Sequence, residues 1–421
     1  MLKKLLIPFL IMVFTLTVCI AVDDAPEVSC NSAVVYNVEY DRIIYQKNID
    51  EPVFPASFTK IMTAVLALEY ENKPSGIEVT SSALEGLTGN YAGLKIGEYV
   101  PYDDLLKALI VAGANDAALV LAQHIGTTVD GFVDMMNAKA KELGMTATHF
   151  TNPTGMHDGF METTVSDMLK LCRYAYHINE YMEISSMPKY DMPKTNKSPL
   201  RSLITRNLML SKIFGGDYYD GEIRGMNSGS TEQAGFCLAT TKENDGLVYL
   251  CIVSGSKKDE DKRILSYIDT DNLYEYVFAN YRLTDVFTAS SSVSQVPVRF
   301  SGTVDNAVIV SAQTLKSILP ADADLKADVH IDALLKIDTL DAPVKSGSVV
   351  GYADIFFGEE KLGTVALVTQ SNIERSNFLY LLFLIGEFFK RKEVMLVVLG
   401  ILAAFIIYLI IAILAMPTKR K

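Results

Sequence analysis

The apolar positions of this 421-residue chain alternate first, then fall into helical spacing, then alternate again. The stretch SAVVYNVEYDRIIYQKN, residues 32–48, alternates and turns like a β-hairpin. Recurrence at three and four residues then predicts helices over 58–70, 102–111, 116–125, 131–143 and 165–177. Gly126 and Gly144 fall where helix C-caps are expected. Two strand-like runs, GFCLATT and LVYLCIVSG, flank the polar turn KENDG, and a further helix is expected over 261–281. A hairpin, a helical middle, then strands and a last helix describe an α+β domain whose helices pack on an antiparallel sheet.

At TASSSVSQ, 288–295, the composition shifts to a short polar linker. Beyond it AVIVSA, ADVHIDALLKID, GSVVGYADIFF and KLGTVALVTQ alternate between Gly, Pro and Asp turns, which predicts a small all-β domain over 296–371. The expected first domain is then 22–287.

Both ends raise the hydrophobic content, 49% overall. Lys3 and Lys4, an apolar run from Leu5, and the small residues Cys19 and Ala21 form a secretory signal pattern over 1–21. An uncleaved N-terminal anchor is the other reading of that run. No residue in 394–416 is charged. At about 1.5 Å per residue this length suits a hydrocarbon core of roughly 30 Å, so a transmembrane helix is expected. Lys419, Arg420 and Lys421 place the C-terminus inside, yet Lys390, Arg391 and Lys392 flank the other end, so charge alone leaves the orientation open. The export signal decides it: the bulk of the chain is expected outside the cytoplasm, tethered to the cell membrane by one helix. Between domain and anchor, the juxtamembrane segment 377–392 begins with the apolar run NFLYLLFLIGEFF, which fits either an interfacial helix or a helix packed on the last domain.

A net charge of −12 argues against a nucleic-acid partner. Cys30, Cys172, Cys237 and Cys251 allow three disulfide pairings, and the apolar neighbours of Cys237 and Cys251 favour buried thiols. The five histidines are scattered, no Cys/His spacing matches a metal site, and no cofactor is expected.

Candidate chemistry sits in PASFTKIMTAVLALEY. Ser57 and Lys60 share one helix face, their β-carbons about 5–6 Å apart. The chain holds two other Ser-x-x-Lys matches: Ser186 to Lys189 contains Pro188, and Ser254 to Lys257 contains Gly255. A serine hydroxyl needs a base at neutral pH, and a lysine becomes one when burial lowers its pKa. Ile61, Ala64, Val65 and Leu68 supply an apolar setting, and a helix N-terminus favours developing negative charge. Taken alone, the pair reads equally as a cap and a solvated lysine.

PASFTKIMTAVLALE, IVAGANDAALVLA, HFTNPTGMHD, TTVSDMLKL and GMNSGSTEQAGFCLATT, in that order, resemble the D-alanyl-D-alanine carboxypeptidases, the low-molecular-weight penicillin-binding proteins. The resemblance covers about residues 32–281, and the β domain and anchor fit it. It implies a transpeptidase-type fold shared with β-lactamases. It further implies that Ser57 attacks a D-Ala-D-Ala stem peptide of peptidoglycan, that Lys60 takes its proton, and that Asn115 orients Lys60 and the substrate amide. The N–H groups of Ser57 and Ser230 would form an oxyanion hole, Thr231 would lie beside the substrate carboxylate, and β-lactams would be covalent ligands.

Two positions depart from the family's pattern. Gly113 stands for the Ser of Ser-x-Asn, and Asn227 for the Lys of the Lys-Thr-Gly that becomes Asn227, Ser228 and Gly229. A proton relay and a cation for the substrate carboxylate are lost together, worth roughly 10²–10⁴ in rate and about 1.5–3 kcal/mol. A second reading follows, in which the chain is an impaired homologue that binds wall peptide or acts as a scaffold. Arg224 could replace the cation only if the strand carried a bulge, because an offset of three faces the other side. A class A β-lactamase, the nearest other enzyme, would need a deacylating Glu with an Asn a few residues on, and Glu162 has none.

Overall fold

A computed structural model of the chain describes residues 25–414, so the expected signal peptide, 1–21, lies outside the described residues. The chain divides into two compact units, Met1–Arg282 and Leu283–Lys421.

The first unit begins with the hairpin β1 (Ser32–Asn37) and β2 (Arg42–Lys47), then α1 (Thr59–Glu69). A short hairpin, β3 (Gly76–Glu78) and β4 (Tyr99–Pro101), brackets a loop and leads into α2 (Tyr102–Ala112), α3 (Asn115–Gly126) and α4 (Val129–Glu142). After α5 (Val165–Tyr176) and α6 (Asn179–Ser185) come the hairpin β5 (Lys189–Met192) and β6 (Arg201–Ile204), then β7 (Ile223–Thr231), β8 (Gly235–Asn244), β9 (Leu247–Ser256) and α7 (Leu265–Asn280). The main sheet has the order β2-β1-β9-β8-β7 and is antiparallel at every junction. All six residues of β1 are buried because strands flank it on both sides and helices cover both faces.

Residue alternation along β9 assigns those faces. Leu250 and Ile252 join the core that contains α1 to α6, while Cys251, one step out of phase, faces Thr270 of α7. The sheet is thus sandwiched, with α7 on one side and the other helices opposite. Ten of the eleven residues of α1 are buried, and α1 packs against α2, α3, α4, α5 and α6. A helix apolar on every side belongs at the centre of a domain, which gives whatever it carries a rigid base.

Helix ends refine the expectations. Gly144, at φ +72°, follows α4 as a left-handed cap. Gly126 instead stays inside α3, and the positive φ falls on Thr127. Gly126 is small for another reason: a β-carbon there would lie 2.3 Å from Phe132 N. The last helix starts at Leu265 rather than 261, because Asp259 folds its carboxylate onto the N–H and Nε of Arg263 and ties 259–263 into a turn.

The buried Asp269 of α7 fastens the start of the described chain, accepting from Ser29 N (2.9 Å) and Oγ (2.8 Å), Cys30 N (3.0 Å) and Ser256 Oγ (3.0 Å). Asp269→Ala would leave four donors unpaired, at a cost of roughly 3 kcal/mol. Thermal unfolding should show a clear drop in Tm, and an unchanged Tm would refute this account of the anchor. Cys30, Cys172, Cys237 and Cys251 are buried free thiols, and burial raises the pKa of each, that of Cys30 to about 12.

The second unit follows β10 (Tyr281–Phe287) with β11 (Ser292–Arg299), β12 (Asn306–Ser311), β13 (Leu315–Pro320), the single turn α8 (Leu325–Asp328), β14 (Val329–Leu335), β15 (Leu340–Asp341), β16 (Val349–Phe357) and β17 (Glu360–Thr369). Six of these strands form a sheet of order β14-β16-β17-β12-β11-β15, with β11 and β15 parallel. The polar stretch expected as a linker, 288–295, is no linker. Ser292 already pairs with Val310, and the division between units lies at Arg282/Leu283. Beyond the sheet, α9 (Asn377–Lys390) has no buried residue; near its start Phe300 packs against Tyr380 and Phe383. It is followed by α10 (Lys392–Leu414), whose 392–412 stretch is long and apolar enough to cross a membrane.

Candidate active site

The chain reaches α1 through a strained turn. Pro55 is followed by Ala56 at φ +44°, a left-handed conformation that costs a non-glycine residue of order 1–3 kcal/mol. A 3₁₀ turn over Ala56–Phe58 then presents Ser57 ahead of α1, where N–H groups have no intrahelical acceptor. The loop at 152–156 holds that turn down. Asn152 Oδ1 accepts from Thr154 N (3.1 Å), Thr154 Oγ1 (2.8 Å) and Gly155 N (2.8 Å). Gly155, at φ +73°, lies so near that a β-carbon on it would be 1.8 Å from the Ala56 carbonyl oxygen.

One turn on, Lys60 is only 5% exposed and donates from Nζ to the Thr154 carbonyl at 2.5 Å. Burial, and secondarily the charge of Arg206, bring its pKa down from 10.5 to about 7. A substantial fraction of this amine is unprotonated at neutral pH.

The second wall comes from the turn between α2 and α3. Gly113 caps α2 in the left-handed region, at φ +63°, so a serine there would be strained as well as placed against Arg206, whose Cγ lies 3.4 Å from a β-carbon built on Gly113. Asn115 is buried and donates from Nδ2 to Thr88 O at 2.6 Å, while Oδ1 has no partner among the described residues. The loop over it is fixed by Asn115 N donating to Asn90 O (2.7 Å) and by Asp116 accepting from Ala92 N and Leu94 N, each at 2.9 Å. The resemblance gives Asn115 the task of orienting Lys60. In this geometry the Thr154 carbonyl holds Lys60, and the Asn115 amide turns toward Thr88.

The third wall is β7, an edge strand of the main sheet. Gly229 passes so close to Ser57 that a β-carbon on it would fall 2.1 Å from Oγ. Ser57, Lys60, Gly113 and Asn115 share a cleft of about 170 Å³ with Ser228, Gly229, Ser230 and Thr231. Asn227 does not line it. It is 9% exposed, its Oδ1 is unpaired among the described residues, and it borders a gap of about 10 Å³ next to the cleft.

The strand does carry a bulge, between Arg224 and Asn227, yet it does not bring Arg224 round. Arg224 Nη1 donates to Gly221 O (3.1 Å) and Ile223 O (3.0 Å), and the side chain lines a different cavity. The arginine beside the nucleophile is Arg206, which the sequence reading did not single out. Glu162, the acid that a β-lactamase reading would need, is exposed and pairs through its backbone with His149, away from the cleft.

Residues 20–257 match the family model described as D-alanyl-D-alanine carboxypeptidase, and 281–375 match that of the penicillin-binding protein 5 C-terminal domain. The chain is 25% identical over 371 residues to the D-alanyl-D-alanine carboxypeptidase DacF of Bacillus subtilis, covering 86% of this chain and 90% of that one. It is also 25% identical over 367 residues to DacC of Escherichia coli, covering 84% and 87%. Among solved structures it resembles the carboxypeptidase DacD of Francisella tularensis (TM-score 0.63, 24% identity, 83% of this chain and 95% of that one). It likewise resembles penicillin-binding protein 5 of Haemophilus influenzae (TM-score 0.61, 22% identity, 83% and 99%). The first family model alone spans more than half of the residues, and with it the chain belongs to the D-alanyl-D-alanine carboxypeptidase family of low-molecular-weight penicillin-binding proteins.

Proposed function

We propose that this protein is a serine-type carboxypeptidase that removes the terminal D-alanine from peptidoglycan stem peptides ending in D-Ala-D-Ala. The observation that carries the reading is a serine at a helix start, in contact with an edge strand, with a buried and partly neutral lysine one turn away. An extended peptide can pair with the edge of β7 as an added strand, which lays its scissile carbonyl across Ser57. Lys60 takes the Oγ proton as Oγ bonds to the carbonyl carbon of the penultimate D-alanine. The oxyanion sits against the N–H groups of Ser57 and Ser230. The C–N bond then breaks, the departing amine of D-alanine takes the proton back from Lys60, and water hydrolyses the ester on Ser57. A β-lactam would follow the first half of this course and remain attached. The C-terminal apolar helix would tether the protein to the cell membrane with both units outside the cytoplasm.

A second reading is favoured by Gly113 and Asn227, which offer no relay to the leaving amine: the cleft binds or traps wall peptide without turnover. One experiment separates them. Separate samples of full-length protein in detergent are incubated with a labelled penicillin and with diacetyl-lysyl-D-Ala-D-Ala. Label mapped to Ser57 by mass spectrometry, together with released D-alanine, is the expected result. Label without release favours the trap, and label on no residue or elsewhere ends the acyl-enzyme reading.

A further inference from the structure

β7 is an edge strand with a bulge between Arg224 and Asn227, so groups outside the sheet must hold the part of it that meets Ser57. Three such tethers follow one another along the strand. Gly225 N donates to Ser186 Oγ (3.2 Å), Met226 O accepts from the Tyr181 hydroxyl (3.0 Å), and Ser228 Oγ shares a hydrogen bond with the Tyr267 hydroxyl (3.1 Å). Asn227 breaks the series: its buried Oδ1 has no partner among the described residues.

Asn207, 3% exposed, borders the same gap of about 10 Å³ as Asn227. Its Oδ1 accepts from Met209 N at 3.0 Å and caps the 3₁₀ turn over Leu208–Leu210, which fixes which end of the amide is which. Nδ2, with two hydrogens to donate, has no partner among the described residues either. Gly113, Arg206 and Ser228 border this gap and the cleft of Ser57 alike, so whatever fills the gap sits behind the cleft wall.

One small gap thus meets two buried amides of opposite sense, each costly to leave without a partner. An anion would be set against the Asn227 oxygen. A cation would be set against the Asn207 N–H groups and the Arg206 guanidinium. A water accepts from one amide and donates to the other, and the volume is close to the roughly 10–15 Å³ that one water needs.

We propose that this gap is a water site: one water accepts from Asn207 Nδ2, donates to Asn227 Oδ1, and ties β7 to the turn that follows β6. Asparagine is shorter than the lysine of the family's pattern and leaves the room for it. The bridge is a further tether on the strand whose Gly229 lies against Ser57. Its effect on acylation rests on the acyl-enzyme reading above, whereas the site itself does not.

The first test is a crystal structure of the full-length protein, grown from a lipidic mesophase, at a resolution that shows ordered waters. Water density within hydrogen-bond distance of both amides is the expected result. Density at neither amide, or the anomalous signal of an ion, would overturn the site. The second test is a double-mutant cycle on full-length protein in detergent. Asn227→Leu keeps bulk and removes the acceptor, and Asn207→Ser keeps a capping residue and removes the donor. Each should lower Tm by roughly 2–6 °C. The double variant should lose clearly less than the sum, because a bridge is lost only once. Additive losses would overturn the tie. Asn227→Leu should also slow penicillin acylation of Ser57 roughly tenfold, a fraction of what an ångström of misplacement costs. Gly246→Ala, strained in a turn away from the cleft, should lose stability and keep its rate. An unchanged rate in Asn227→Leu would overturn the hold of the water on the cleft. A parent protein that takes no label sinks the acyl-enzyme reading alone, and the density and the cycle still decide the site.

Discussion

Replacing Lys60 by methionine should slow acylation of Ser57 by a labelled penicillin roughly 10²- to 10⁴-fold, the usual contribution of a positioned base. Methionine keeps length and apolar volume, so the core around α1 is preserved while the amine is lost. In the unsubstituted protein the acylation rate should climb with pH through about 7, where Lys60 gives up its proton, and then level off. That climb should vanish in Lys60→Met. Stability supplies a second readout with a definite sign. The folded-state pKa, about 7, lies below the ordinary lysine value of 10.5, so between these values the unfolded chain binds more protons than the folded one. Stability of the parent should therefore rise with pH across that window, and below pH 7 it carries the full cost of a buried ammonium. Lys60→Met buries no charge and should gain most on the parent in acid. Equal acylation rates, or a parent profile flat through pH 7, would remove Lys60 as the base.

Why this site is half legible in the sequence follows from what each member contributes. Ser57 and Lys60 act through side chains on one helix, and a spacing of three with an apolar flank writes that plainly. Thr154 acts through its carbonyl, which every residue possesses, so no side-chain pattern marks it. Arg206 arrives by tertiary packing from the end of a short hairpin, whereas Arg224 drew notice only by standing close to Asn227 along the chain. The bulge needed for Arg224 is present, yet neighbouring carbonyls capture the side chain. The long helices and the strands β8 and β9 were readable because many apolar positions repeat within each. Strands of three or four residues, such as β3 to β6, hold too few positions to establish a period. Gly126 and Gly144 show the limit of a residue-type rule: one is a left-handed cap and the other makes room for Phe132.

Gly229 makes the strongest geometric claim on the site. An alanine there would place its β-carbon 2.1 Å from Ser57 Oγ and 2.3 Å from Ser57 Cβ. A hydroxyl can rotate away, but Ser57 Cβ is fixed by the clamped turn at Ala56 and by the buried helix behind it. Strand and helix must therefore separate by about an ångström, and misplacements of that size cost on the order of 10² in rate. Gly229→Ala should accordingly cut acylation by at least roughly a hundredfold. Overpacking typically costs about 1–3 kcal/mol, and β7 is an edge strand free to shift, so the protein should stay folded with a lowered Tm. Gly246→Ala is the matched control. At φ +75°, with nothing within 4 Å of its β-carbon, it should lose stability through backbone strain in the turn before β9 and keep its acylation rate. If Gly229→Ala were acylated as fast as the parent, β7 would not lie against Ser57 in solution, and the cleft would lose its third wall.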